Sequence, residues 1–171
     1  MTPAGVRAAA AVVRVPAGAE VELYSSDLLR TRRTAEEIAA VFGAAKILDR
    51  RLREKWWLDR RFVPPPAVGE RLEHDEGVPG AETKGACVRR VYAAMDEILA
   101  RPCEHQIVVT HGGSQNFVVA SWIRMPAESV GYASFRAPAG SITTLREDDF
   151  FHNRQVVALG DTRHLESLAT G

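Results

Sequence analysis

The stretch VELYSSDLLRTRRTAEEIAA, residues 21–40, changes period in its middle. Its first four residues read as a strand with an apolar end. Then Ser25, Ser26 and Asp27 supply side chains of the kind that cap helix starts, and Leu28, Thr31, Ala35, Ile38 and Phe42 recur at steps of three and four. Gly43 closes the pattern. The stretch therefore predicts a strand running directly into an amphipathic helix. It also places arginine at 30, 32 and 33, close to a helix start, where a cation opposes the helix dipole by about 0.3 to 1 kcal/mol. An anion bound there would compensate, because free N–H groups and a forked guanidinium together suit phosphate. A nearby carboxylate such as Asp27 would also serve for Arg30. Arg32 and Arg33 are expected to lie along a solvated face.

A second unit repeats the design. IVVT at residues 107–110 is a β-branched run suited to a parallel strand covered on both faces, His111-Gly112-Gly113 turns the chain, and SQNFVVASWI continues as helix. His111 could donate to an oxyanion or move a proton near neutral pH, or it could cap its own turn. Between the two units, KILD suggests a short strand, and residues 50–82 hold too much proline and glycine for long regular elements. Residues 83–99 carry a helical stripe of Val88, Val91, Tyr92, Met95, Ile98 and Leu99, ended by Arg101-Pro102. Residues 4–15 also read as helix. SITTL and QVVAL are expected as late strands in an antiparallel pair. Alternating helices and strands predict an α/β three-layer sandwich with a mostly parallel sheet, forming a single domain over residues 1–171. Ligands of such sheets bind beyond the carboxyl ends of the strands, where Ser25, Ser26 and His111 fall.

Composition bounds the function. The 171 residues contain 22 Lys+Arg against 22 Asp+Glu and are 46% hydrophobic, which argues against a nucleic-acid tail or a membrane-seeking surface. No apolar run reaches the ~20 residues of a membrane span, and the alanine-rich start lacks a signal-peptide layout, so a cytoplasmic location is expected. Cys87 and Cys103 have no partners at metal-ligand spacing, and His74, His105, His152 and His164 are scattered, so they are read as structural or surface residues and no metal site is expected.

Taken together, the two units resemble the histidine phosphatase superfamily, the phosphoglycerate-mutase-like proteins. YSSDLLRTRRTAEEIA is similar to the family's SSDLxRAxQTAxxIA segment, and IVVTHGG to its second-histidine motif. In order along the chain, TPAG resembles LTxxG, LDRRLREKWW the acidic LxE loop, GAET the GES helix start and VVALGDTRHL the NDTxHL ending. The resemblance implies a phosphate-clamping role for Arg30 and a stabilising catalytic role for His111. It makes Glu54 the general acid or base, with Ser26 and Gly112 at the phosphate. No cofactor is implied, and the ligand expected is a phosphorylated or other anionic small molecule. The LxE loop departs from the family pattern, so that Trp56, Trp57 and Arg60 either shape the substrate side or pack the loop.

The family also begins with an apolar strand ending in Arg-His-Gly, whose histidine is phosphorylated. Matching TPAG to residues 2–5 leaves only Met1 before it, and no Arg-His-Gly occurs in the 171 residues. The expectation is that this strand and its nucleophile lie upstream, and that neighbouring strands, a second copy or another partner chain fill its slot. Three functions stay open: a phosphatase or mutase completed from outside this sequence, a regulatory ligand-binding relative, or an acid/base enzyme that uses Glu54 and His111 on another anion.

Overall fold

The computed structural model describes residues 15–55, 72–73 and 80–166. The helix expected at 4–15, all but Val15, and most of the 50–82 excursion, Trp56, Trp57, Arg60 and His74 included, lie outside these residues. Strand β1 (Val21–Ser25) leads into helix α1 (Leu29–Phe42), and β2 (Lys46–Leu48) follows. Helix α2 (Lys84–Leu99) precedes β3 (His105–Val109), which runs into α3 (Gly112–Trp122). The chain continues through β4 (Ile142–Glu147) and β5 (Arg154–Asp161) to the short α4 (Arg163–Glu166).

The strands β2-β1-β3 form a parallel sheet, with Tyr24 beside both Ile47 and Val108. Alternation along the strands sends side chains to opposite faces. Leu23, Ile107 and Val109 meet Ala35, Ile38 and Phe42 of α1 on one face. Tyr24 and Val108 meet the larger core of α2 and α3 on the other, built from Val88, Val91, Met95, Ile98, Phe117 and Val118. Helices on both faces of a parallel sheet make the three-layer α/β sandwich predicted above.

Local signals account for most element ends. Gly43 stops α1 at φ 63°, a left-handed conformation that a Cβ disfavours. Thr83 caps α2 by accepting from the Ala86 N–H at 3.0 Å. The expected late strands pair antiparallel as β4–β5. Their connection is held by the Asp148 carboxylate, which accepts from the N–H groups of Phe150, Phe151 and Asn153 at 3.1, 2.6 and 2.7 Å.

One expectation needs correction. Ser25, Ser26 and Asp27 do not cap α1, whose first flanking residue is Leu28 with no side-chain cap. The serines belong to the strand end and point to other partners, while the Asp27 carboxylate takes both Nε and Nη2 of Arg53 at 2.5 and 2.6 Å. The β3 run is covered on both faces, as expected, but it is not fully buried. All five of its residues are half-buried, and among the described residues β3 pairs with β1 alone.

Candidate functional site

The carboxyl ends of β1 and β3 are adjacent, with Ser25 opposite Val109 and the Ser26 N–H donating to the Val109 carbonyl at 3.0 Å. This register brings Ser26 and His111 together. Arg30, on the first turn of α1, reaches the same place and donates from Nε to His111 Nδ1 at 3.0 Å. A guanidinium N–H can only donate, so Nδ1 must carry the lone pair. The proton then resides on Nε2, which donates to Ser26 Oγ at 2.9 Å. Burial, with the Arg30 charge second, pushes the imidazole down to about 4. His111 is thus a neutral ring of fixed tautomer near pH 7. Its side chain does not cap α3, which removes the turn-capping reading. The carboxylate reading of Arg30 falls too, since Asp27 is engaged by Arg53.

Glu54 arrives from a different part of the chain. A single 3-10 turn, Arg50–Leu52, seats the buried Leu52 and leads to Glu54. The Glu54 carboxylate accepts from the backbone N–H of Gly113 and of Ser114, each at 3.2 Å. These are free donors of the α3 N-terminus, where negative charge is favoured. The carboxylate therefore stands at the residues that directly follow His111-Gly112.

Arg32 and Arg33 are exposed, as expected for a solvated face. His152 is exposed and sits beside Glu147. His164 is buried with Nε2 2.9 Å from the Gly140 carbonyl, a structural role. Cys87 is buried in the α2 core and its thiol is pushed up to about 12, so it is held as a neutral thiol. Among the described residues no cluster of His, Cys, Asp and Glu could hold a metal, and no helix is long and apolar enough to cross a membrane. Trp57 lies outside the described residues.

Several contributors escaped the sequence reading. Thr110 Oγ1 donates to the Leu52 carbonyl at 2.7 Å, and Ser114 Oγ to the Arg53 carbonyl at 2.6 Å. Arg90 and Glu82 add to the same loop. The only local hint was the Arg89-Arg90 pair between the apolar positions Val88 and Val91.

Gly113 has a specific steric reason. A Cβ there would lie 2.5 Å from Glu54 Oε1, whereas no backbone atom of another element is among its nearest neighbours. Gly113→Ala should therefore displace the carboxylate and spare the fold. A thermal melt should stay within about 1 kcal/mol of the parent, while the Ser114 amide resonance moves. An unfolded variant would mean that backbone, rather than a mobile carboxylate, fills that space.

These observations define an α/β protein with a polar, anion-compatible cluster at the carboxyl ends of its parallel strands. Residues 1–161 match the family model of the histidine phosphatase superfamily (branch 1), and the chain belongs to that family. It is 30% identical over 162 residues to the "Probable phosphoglycerate mutase GpmB" of Salmonella paratyphi B, covering 86% of this chain and 74% of that protein. In fold it is similar to the mycobacterial glucosyl-3-phosphoglycerate phosphatase Rv2419c in complex with inorganic phosphate (TM-score 0.72, 20% identity, 95% of this chain and 86% of that one). It is also similar to Bacillus stearothermophilus YhfR (TM-score 0.68, 20% identity, 95% and 83%).

Proposed function

We propose that Arg30, His111 and Ser26, with the backbone at Gly112, bind the phosphoryl group of a small phosphorylated molecule, and that Glu54 carries the proton in its transfer. The observation that supports this most is the Arg30 Nε to His111 Nδ1 contact across two strand ends. It gathers a guanidinium and an imidazole at a strand terminus without a carboxylate between them. Phosphoryl transfer depends on such positioning and charge stabilisation more than on covalent chemistry by the protein. The family and the phosphate carried by a similar fold agree with an oxyanion ligand. On this reading a bound dianion would recruit the proton that His111 lacks when the site is free, turning the ring into a second donor.

The nucleophilic histidine is proposed to come from a strand docked along the outer edge of β3, contributed by further chain or by a partner such as a second copy. Two features support that docking: the unpaired edge of β3 among the described residues and the separation of β4–β5 from the parallel sheet. A specific observation also favours a second reading, ligand binding without turnover, because no Arg-His-Gly occurs in the 171 residues.

Titration with inorganic phosphate by calorimetry tests the shared premise. Arg30→Ala should weaken binding about 10- to 100-fold, the value of one or two charge-assisted hydrogen bonds. Unchanged affinity would remove Arg30 from the site. Turnover of p-nitrophenyl phosphate then separates the two readings. The 171-residue chain alone should form no phosphohistidine, and a phosphoryl group trapped on His111 would overturn the assignment of the nucleophile to another strand.

A further inference from the structure

The loop that carries Glu54 has little regular structure, yet its backbone carbonyls are taken one after another. The Arg51 carbonyl accepts from Arg90 Nη1 at 2.6 Å and the Arg53 carbonyl from the same atom at 2.8 Å. The Glu54 carbonyl accepts from Arg90 Nη2 at 3.2 Å. The Leu52 carbonyl between them is held by Thr110. The other side of the same guanidinium forks onto Glu82, with Nε to Oε1 at 2.6 Å and Nη2 to Oε2 at 2.7 Å. A guanidinium has five N–H donors, and the five acceptors just named use all of them. Both side chains of the ion pair are 21% exposed. Arg90 therefore has no donor left for a phosphate, although it projects from α2 toward the site. Its fixed planar fork suits it to hold several carbonyls at once, which a lysine ammonium does less well.

We infer that Arg90, locked by Glu82, is the positioning residue for Glu54: it sets the loop so that the Glu54 carboxylate occupies the two free N–H groups at the start of α3. The carboxylate is then a built-in anion at the α3 N-terminus, and an incoming phosphate meets its charge. This inference rests on the phosphate reading for its ligand but not for its geometry.

Backbone amide NMR of the 171-residue chain tests the geometry without any ligand. Glu54→Gln should move the Gly113 and Ser114 amide signals, and Arg90→Met should move the same two signals, with little further change in the double variant. Arg90→Lys should fall between. If Arg90→Met leaves both amides at their parent positions in a folded protein, the positioning role is wrong. Should Arg90→Met fail to fold, Glu82→Gln keeps the guanidinium and loosens its anchor, and the same amides must move.

Inorganic phosphate binding gives an independent sign. Removing the Glu54 charge should tighten binding about tenfold. Absence of phosphate binding in the parent would sink the proposed function, while the amide result would still decide the role of Arg90.

Discussion

Between pH 6.5 and about 4 the folded protein should lose about 3 kcal/mol through His111 alone. The ring is 7% exposed, and burial first, then the Arg30 charge, bring it from 6.5 to about 4. Arg90 pushes in the same direction, whereas Glu54 opposes them. A group whose folded value is depressed takes its proton first in the unfolded chain. Stability is therefore unaffected by this group above pH 6.5, falls as the pH drops below it, and has lost its full share once the pH is below about 4. Each tenfold step in proton affinity is worth about 1.4 kcal/mol, which sets the magnitude. The Asp27, Asp49 and Asp161 carboxyls, held low mainly by arginine hydrogen bonds and, for Asp49, against its own burial, also weaken the fold in acid. The test must accordingly be a difference. Urea melts at pH 7 and pH 4.5 should show a steeper loss for the parent than for His111→Asn, and equal losses would show that the imidazole is not held neutral. Saturating phosphate should raise the His111 titration, because a bound dianion favours the imidazolium.

Leu52→Ala should cost about 2 to 5 kcal/mol, the range for emptying a fully buried leucine site. Leu52 is 0% exposed and packs in the α2–α3 core with Tyr24, Val88 and Phe117. It is also the seat of the turn that leads to Glu54, and its carbonyl is tied to Thr110. The loss should thus appear as a large shift of the urea midpoint. Ile47→Ala offers the contrast, since Ile47 is 39% exposed on β2 and should cost less than about 1 kcal/mol. A Leu52 penalty no larger than that of Ile47 would mean that the 50–54 turn is not anchored in the core.

Both predictions concern groups whose behaviour depends on long-range neighbours, and that division runs through the whole molecule. The strand-to-helix units, the Gly43 helix end, the 83–99 helix and the β4–β5 pair were legible because period, capping and turn chemistry act between residues a few positions apart. Arg30 and His111 were legible as candidates for the same reason: each stands at a strand end or helix start, where α/β sheets place ligands. The Ser26 and Asp27 caps were misread because partners far away compete for the same side chains. Asp27 gains a bidentate arginine at position 53, and Ser26 gains the imidazole at 111.

By itself, then, the sequence determined the layered α/β architecture and nominated Arg30 and His111 through local periodicity and the chemistry of element ends, and Glu54 through the resemblance of its loop to the family's acidic loop. Only the tertiary structure decided the tautomer of His111, the seat of Glu54 on the Gly113 and Ser114 N–H groups, and the use of Arg90 as a backbone clamp. The physical reason is that these are pairings between segments some 30 to 80 residues apart in the chain, for example positions 54 and 90, or 30 and 111. Such pairings are selected by burial and donor geometry once the sheet has brought its strand ends together, and no local pattern records them.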